Sequence, residues 1–595
     1  MCWTRLRSYR SELVVAATAL LLRVIYLWEM RASPVFRYSY GDGLVYDAWA
    51  REIVAGDWLG KGIFYQAPLY PYFLAAVHAL FGPGLLPVRV VQILLGSASC
   101  AFLVRAGRHF FTPGIGCAAG LLLACYPSAI FFDGLIQKSA LDLFFMTLLL
   151  VVFGNIHREE KPGQWLGAGL VLGGLLLTRE NAIVLLFVTL VWLVVRHRSR
   201  PRAGSVRAAL LFAGWAIVVL PVGMRNLAVG GEFHLTTSQF GPNLYIGNSP
   251  AADGNYTPLR PGGGDSLRER SDNTELAEQA LGHSLTPGEV SRYWASRALD
   301  FIAGHPGRWL TLMARKWLMF WNRQELSDTD DQESYGEWSL LLRALNRLYH
   351  FGILFPMAAA GVFLTRRRWR ELWILYATTV VYAGSVVLFI VLSRFRYPLV
   401  PIFVLFAAAG VVLVRSEISR RNWRGLAAPA GIALAAAIIA NLPAVPERTG
   451  NARAVMQDNL GGAVWNTHRN ADEAMRYFQE AIRISPTYAE PYKNMGIVLR
   501  TNGRWGEAML WYRKALALQA GDPKIFEGLG ICATNLEKTA EALEWFRRAL
   551  ALTPRLADAN YGMGLNLEKL GLREEARRHF AEAARLDPTY ARPQR

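Results

Sequence analysis

The sequence predicts an all-α membrane protein, in which a bundle of about eleven transmembrane helices and one interfacial helix is followed by an α-solenoid of helical repeats. Three observations predict this class. Hydrophobic residues make up 53% of the chain and charged residues 18%, whereas ordinary soluble proteins have about 25% charged residues. Apolar runs close to the length of a bilayer span recur along most of the chain. The remaining part repeats with a period of 34 residues.

The basic residues indicate a membrane topology. The net charge is +18, a value that is compatible with nucleic-acid binding until the positions of the basic residues are considered. They cluster in five short loops between apolar runs: 105–109, 157–161, 196–207, 366–370 and 415–424. If the amino terminus is cytoplasmic, all five loops lie inside, as the positive-inside rule requires. We therefore predict an integral membrane protein with no nucleic-acid partner.

The predicted spans are apolar runs that approach the ~20 residues needed to cross a bilayer. They lie at 13–30, 86–104, 113–131, 139–156, 163–178, 180–195, 208–228, 345–364, 371–391, 397–414 and 426–444. A further apolar stretch, residues 68–81, begins with Pro68 and Pro71 and, at about 14 residues, is short for a span. We place it as a helix at the outer interface.

The odd number of crossings puts the chain after Leu442 outside the membrane. Two domains follow: a membrane domain at 1–445 that includes outer loops 31–85 and 229–340, and an extracytoplasmic repeat domain at 446–595. The long outer loop exceeds the length of an idle connection, so chemistry is expected on the outer face. The outer segments are 31–85, 132–138, 179–180, 229–340 and 393–397.

The repeat places the same residue types at the same helix positions. Small residues recur at Ala474, Ala508, Ala542 and Ala576, at Ala481, Ala515, Ala549 and Ala583, and at Gly496, Gly530 and Gly564. Aromatic residues recur at Phe478, Tyr512, Phe546 and Phe580. Offsets of four and three residues put these positions on one helix face, where small residues let the paired helix approach and the ring fills the gap. The pattern resembles tetratricopeptide repeats, which implies a groove for a protein or peptide partner.

The first outer loop carries an acidic motif. Residues 40–50 read Tyr-Gly-Asp-Gly-Leu-Val-Tyr-Asp-Ala-Trp-Ala, and residues 66–71 read Gln-Ala-Pro-Leu-Tyr-Pro. An acid just after the first membrane helix, a tyrosine four residues later and a Pro-Leu-Tyr run resemble the opening of glycosyltransferase family 39. That family has the GT-C fold and includes protein O-mannosyltransferases and lipid A aminoarabinose transferases. The resemblance extends over about residues 10 to 445, through residues 133–138, 177–180 and 393–401.

The resemblance implies a polyprenyl-phosphate-linked sugar donor and a set of site residues. The expected catalytic residues are Asp42 and Asp133. The expected substrate-binding residues are Tyr46, Asp47, Gln66, Lys138, Arg179, Arg394 and Arg396. The chain differs from many members at two places: Gly43 stands where they have Glu, and Gln66 and Ala67 precede the Pro-Leu-Tyr run where they have a basic residue and a proline.

The residue types suit this chemistry. Attack by an acceptor hydroxyl needs a carboxylate that accepts or orients its proton, and Asp42 fits that role. The departing lipid phosphate gains negative charge, which cations at the membrane surface would stabilise. The sequence shows no Cys/His metal spacing and no certain cofactor. Whether Asp42 and Asp133 share a divalent cation stays open.

We therefore predict a glycosyltransferase that moves a sugar to a protein, lipid or glycan acceptor. Its predicted location is the bacterial inner membrane, with the amino terminus cytoplasmic and the repeats outside. Two alternatives remain. A membrane-anchored scaffold for an envelope complex would need only one helix. A lipid or glycan transporter would carry polar residues at the bilayer midplane, where Arg23 is the only clear charge.

Overall fold

The computed structural model describes residues 10–261, 263, 268–327, 329–445 and 452–591, and in these ranges the chain forms helices and turns but no strand. The chain divides into two compact units. The first comprises residues 1–37, 42–257 and 277–449, and the second comprises residues 38–41, 258–276 and 450–595. The predicted domain boundary at 445/446 borders residues 446–451, which lie outside the described ranges.

The helices up to residue 440 contain every predicted membrane run. In chain order they are α1 Arg10–Met30, α2 Pro34–Arg37, α3 Gly41–Val54, α4 Leu69–Phe81, α5 Leu85–Phe110, α6 Pro113–Ala124, α7 Pro127–Gly134, α8 Ser139–Arg158, α9 Pro162–Leu176, α10 Ile183–His197, α11 Pro201–Gly230, α12 Phe240–Gly247, α13 Glu269–Leu281, α14 Pro287–Gly304, α15 Pro306–Trp321, α16 Gln332–Tyr335, α17 Leu340–Leu348, α18 Phe351–Thr365, α19 Trp369–Leu388, α20 Ser393–Arg396, α21 Val400–Ser419 and α22 Trp423–Ala440. Three-residue 3₁₀ turns lie at Glu180–Ala182, Arg366–Arg368 and Tyr397–Leu399.

Eight helical stretches among the described residues are long and apolar enough to cross a membrane, or nine if the bent pair α6 and α7 forms one span. The sequence predicts about eleven. The run at 163–178 forms α9, whose 15 residues span about 22 Å against ~30 Å of hydrocarbon. The runs at 345–364 and 371–391 form α18 and α19, which are joined by the 3₁₀ turn Arg366–Arg368 and are counted together as one stretch of 38 residues, Phe351–Leu388. Helix length therefore accounts for the difference in number.

Helix α4 corresponds to the predicted interfacial helix. Its 13 residues span about 20 Å, which is too short for the hydrocarbon core. The backbone N–H of Leu69 at its start donates to the carbonyl of Leu177, and His78 in its last turn contacts Asp47 of α3. Both ends of α4 are thus held by the loop and helix ends that carry the candidate site.

Glycines bring several helices of the first unit into backbone contact. A Cβ added at Gly169 of α9 would lie 2.1 Å from the carbonyl oxygen of Leu211 in α11, and one added at Gly214 would lie 2.2 Å from the carbonyl oxygen of Leu166. No real side chain tolerates such distances. Small residues of this kind are the usual means by which membrane helices pack, because the surrounding lipid is as apolar as a leucine side chain.

The basic loops gather at one end of the bundle. Arg108 near the end of α5 pairs with Glu12 at the start of α1, and Arg368 donates to the carbonyl of Phe110. The ring of Phe110 lies 5.7 Å from that of His157 at the end of α8. Glu160 in the next loop accepts hydrogen bonds from three side chains, those of Arg196, His197 and Arg207. Four of the five predicted cytoplasmic loops therefore lie at the end where α1 begins.

The second unit contains the repeats. Its helices are α23 Ala452–His468, α24 Ala471–Ile484, α25 Glu490–Thr501, α26 Trp505–Leu518, α27 Pro523–Asn535, α28 Thr539–Leu552, α29 Ala557–Lys569 and α30 Arg573–Leu586, followed by a 3₁₀ turn at Pro588–Tyr590. A Cβ added at Gly530 would lie 2.6 Å from the ring of Phe546, and one at Gly562 only 2.3 Å from the same ring. The buried ring thus occupies the space that two glycines leave, as the repeat pattern predicts.

Candidate active site

The site is built around the amino-terminal turn of α3, which carries Asp42. A carboxylate in the first turn of a helix lies near free backbone N–H groups and the positive end of the helix dipole. The Oδ2 atom of Asp42 accepts a hydrogen bond of 2.5 Å from Arg394 in α20, and both side chains are only 13–14% exposed. A Cβ added at Gly43 would lie 3.1 Å from the carbonyl oxygen of Ile136. Helix α3 therefore begins against the turn that leads to Lys138.

Lys138 precedes the first residue of α8 and is buried, with 7% of its surface exposed. Burial lowers the pKa of its ammonium group; Arg179 and Arg394 lower it further, whereas Glu180 and Asp142 raise it. These couplings place Lys138 among the charged groups of the site. Within the described ranges of the chain, no carboxylate lies at ion-pair distance from its Nζ atom.

Arg179 follows α9 and is held by the start of α8. Its Nε atom donates to Oδ2 of Asp142 at 2.6 Å, and Nη2 donates to the hydroxyl of Ser139 at 3.3 Å. Its guanidinium lies 4.9 Å from the ring centre of Phe395, and the guanidinium of Arg394 lies 5.2 Å from the same ring. Both arginines thus contact the same aromatic ring, a contact that stabilises cations through the ring quadrupole.

One further predicted site residue belongs to this group. Tyr46, one turn after Asp42, is buried with its ring 5.2 Å from that of Tyr70. Burial and the charge of Asp42 raise the pKa of Tyr46 well above its ordinary value, although Arg394 and Arg179 lower it. Tyr46 therefore remains a neutral hydroxyl, able to donate a hydrogen bond at physiological pH.

Asp133 and Arg396 pair with residues outside the group around Asp42. Asp133 is fully buried, and its Oδ2 atom accepts a hydrogen bond of 2.6 Å from Nε of Arg23 in α1. Arg396 donates to Glu325 at 2.9 Å and to the backbone carbonyls of Phe320 and Asn322 at 2.8 Å. Both side chains are engaged in holding helices and loops together. A catalytic role for Asp133 stays a prediction.

Asp47 and Gln66 lie beside the group without a contact to its cations. Asp47 accepts hydrogen bonds from His78 at 2.9 Å and from Arg51 at 2.8 Å. The Oε1 atom of Gln66 is buried and has no hydrogen-bond partner in the part of the chain that the structure describes. Such an acceptor is available to a hydroxyl or amide of a bound molecule.

The residues present do not fit a cation shared by Asp42 and Asp133. Each carboxylate is paired with a different arginine, and an arginine on the carboxylate competes with a metal for the same oxygen. Among the described residues, no group of three or more His, Cys, Asp and Glu side chains is placed to hold a metal ion.

Sequence reasoning missed Asp142, which fixes the orientation of Arg179. Asp142 lies in the first turn of α8 and is fully buried. The signal was present, because an ionisable residue inside an apolar run is usually paired and functional. It was overlooked because the run reads as an ordinary span with an acid near its end.

Residues 65–224 match the model of the family described as dolichyl-phosphate-mannose-protein mannosyltransferase. Residues 468–523, 493–557 and 557–590 match tetratricopeptide repeat models. The chain thus joins a segment similar to this glycosyltransferase family to segments that match tetratricopeptide repeats. The predicted combination and the all-α fold class are thereby confirmed. The family indicates glycosyltransferase activity, the apolar helices indicate a membrane protein, and the repeats indicate a peptide or protein partner.

Solved structures similar to the chain cover its repeat region. A crystal structure of MamA is 22% identical and covers 21% of this chain and 74% of its own, with a TM-score of 0.20. YrrB, described as a TPR protein with an unusual peptide-binding site, is 24% identical and covers 23% of this chain and 69% of its own, with a TM-score of 0.21. MamA from Desulfovibrio magneticus RS-1 is 25% identical and covers 23% and 79%, with a TM-score of 0.22. No curated protein matches the chain.

Proposed function

We propose that the protein transfers a sugar from a polyprenyl-phosphate carrier to a protein, lipid or glycan acceptor at the extracytoplasmic surface of a bacterial inner membrane. The observation that carries this proposal is the buried ammonium of Lys138. Its charged neighbours are Glu180, Arg179, Asp142 and Arg394, and no carboxylate lies at ion-pair distance in the described ranges. A buried cation that forms no ion pair costs free energy, which an anionic ligand would recover.

A lipid phosphate suits this environment. The guanidinium groups of Arg179 and Arg394 flank Phe395 and present planar donors that match phosphate oxygens, while Lys138 supplies a compact charge. All three cations sit at helix ends rather than in helix centres. A phosphate at the membrane surface, with its polyprenyl chain in the bilayer, could reach all of them.

The proposed reaction uses these groups in one displacement. The acceptor oxygen attacks the anomeric carbon of the sugar while the bond from that carbon to the phosphate oxygen breaks. The electron pair leaves with the polyprenyl phosphate, whose added negative charge Lys138, Arg179 and Arg394 stabilise. The acceptor proton passes to the carboxylate of Asp42. Before the acceptor arrives, the carboxylate of Asp42 pairs with Arg394.

The two ends of the bundle support the proposed orientation. Helix α1 begins among the basic loops and ends just before α3, and α8 runs from Lys138 to Arg158 in the opposite sense. The Asp42 group therefore lies at the end opposite the basic loops. Because basic loops favour the cytoplasm, we propose that the amino terminus is cytoplasmic, that the membrane domain at 1–445 opens outward, and that the repeats at 446–595 are extracytoplasmic.

The test is donor turnover by the purified full-length protein in lipid vesicles. Polyprenyl-phosphate hexoses and pentoses are supplied one at a time, with water as the acceptor oxygen, and released polyprenyl phosphate is measured by mass spectrometry. Asp42→Asn removes the base with almost no change in volume, and we expect turnover to fall about 100-fold or more. The control is Asp57→Asn, because Asp57 is an exposed loop residue. Wild-type turnover in the Asp42 variant would remove that residue from the mechanism, and no turnover of any donor by the wild type would overturn the function.

A further inference from the structure

A fully buried lysine in the long segment, residues 229–340, lies where two helices end. Lys316 of α15 is 0% exposed. Its Nζ atom donates to the carbonyl of Gly247, the last residue of α12, at 2.5 Å and to that of Phe389, the residue after α19, at 2.6 Å. Carbonyls at helix carboxyl ends lack intrahelical partners and carry the negative end of the helix dipole. An ammonium between them satisfies both ends at once.

The carboxyl ends of α12 and α19 are in direct backbone contact. A Cβ added at Gly247 would lie 2.2 Å from the carbonyl oxygen of Phe389, so only glycine permits the approach. Burial lowers the pKa of Lys316 to about 7 with no contribution from a neighbouring charge. Among the described residues, the hydrogen-bond partners of Lys316 are these two neutral carbonyls, and no carboxylate forms an ion pair with it.

Residues 389–393 connect the end of α19 to Arg394. The long segment, residues 229–340, accepts hydrogen bonds from this connection. The N–H of Val391 donates to the carbonyl of Gly254 at 3.0 Å, and the N–H of Ser393 donates to that of Leu326 at 3.0 Å. The hydroxyl of Ser393 donates to the same Leu326 carbonyl at 3.0 Å.

Asn248 adds a further link to the same helix end. Its side-chain amide donates to the carbonyl of Leu388 at 2.8 Å, and its Oδ1 atom accepts from the indole of Trp309 at 3.0 Å. The long segment thus makes hydrogen bonds to residues 388, 389, 391 and 393 ahead of Arg394, and Lys316 makes the one at Phe389.

We infer that Lys316 is a positioning residue that sets the place of Arg394 in the candidate site by joining the carboxyl ends of α12 and α19. This inference rests on the proposed function, in which Arg394 binds the donor phosphate. Without the ammonium, two helix-end carbonyls face each other unpaired and the 389–393 turn relaxes. A displacement of about 1 Å at a binding group is enough to lower turnover about 100-fold.

The experiment combines hydrogen exchange with kinetics on the full-length protein in nanodiscs. Lys316→Met removes both hydrogen bonds, whereas Lys316→Arg keeps a charged donor. The control is Arg315→Met, because Arg315 is the exposed neighbour on the same helix. For Lys316→Met we expect amide exchange in 389–393 to rise at least tenfold, kcat for donor release to fall 10- to 100-fold, and Lys316→Arg to recover a substantial part of both.

Three results would overturn the inference. Unchanged exchange in 389–393 would show that Lys316 does not hold the turn. Faster exchange with wild-type kinetics would show that the turn is held but that Arg394 does not depend on it. If the wild type turns over no donor, the proposed function falls, and the assigned role of Arg394 falls with it, whereas the exchange data still report whether Lys316 fixes the turn.

Discussion

Replacing Lys138 by methionine tests the anion site, because the effects on activity and on stability should have opposite signs. Methionine keeps the length of the apolar stem and removes the ammonium. A donor aimed at charge that develops in a transition state contributes about 2.7–4 kcal/mol, which corresponds to a loss of about 100- to 1000-fold in kcat. We therefore expect donor turnover by Lys138→Met to fall by about that factor.

Folding stability should not fall with it. Removing one partner of a buried ion pair costs about 3–5 kcal/mol because the other charge is stranded. Lys138 has no carboxylate at ion-pair distance in the described ranges, so nothing comparable is stranded. Burial already penalises its charged form, as the lowered pKa shows. We expect unchanged thermal stability or a gain of about 1 kcal/mol, of the kind seen when a strained functional residue is removed.

The assay pairs donor release with thermal unfolding of the same preparations. The control is Lys161→Met, since Lys161 is exposed at the opposite end of the bundle and pairs with the exposed Glu159. The control should retain wild-type values in both measurements. The reasoning is refuted if Lys138→Met turns over donor at the wild-type rate, or if it loses activity only because it unfolds at a markedly lower temperature.

Three further predictions concern burial and packing. Burial raises the pKa of Asp458 to about 7 from an ordinary value near 3.8. Between these pH values the folded repeats hold a proton that the unfolded chain releases, so the stability of the repeats should decrease as pH rises from 4 to 7. Asp458→Asn should flatten that slope in hydrogen-exchange measurements. Gly530→Val should destabilise the repeats by about 1–3 kcal/mol in urea unfolding, because the added Cβ would overlap the ring of Phe546; an unchanged midpoint would contradict this packing. Asp133→Leu should lower stability by about 3–5 kcal/mol because it strands Arg23, and a double variant with Arg23→Leu should recover most of that loss in the same thermal assay.

The parts of the fold that follow from periodicity could be predicted. The 34-residue repeat indicates which residues share a helix face, and Gly530 and Phe546 meet as that pattern requires. The apolar runs locate the membrane helices. The number of spans was less accurate, because hydropathy does not show that α9 is only 15 residues long or that the run after Phe351 continues to Leu388.

The identity of ion-pair partners could not be predicted in the same way. Asp42 and Arg394 are 352 residues apart, and Arg23 and Asp133 are 110 residues apart. Such pairs depend on which helices pack together, and no local pattern encodes that. The sequence placed cations and acids in the same set of turns. It did not show that Asp133 would pair with Arg23 in the bundle rather than join Asp42.

The most direct measurement of the central claim is a cryo-electron microscopy map of the full-length protein in nanodiscs with undecaprenyl phosphate. The account predicts phosphate density at hydrogen-bond distance from Lys138 and from Arg179 or Arg394, at the end of the bundle that carries Asp42. Phosphate density at the opposite end, among the cations that surround Glu160, would contradict it.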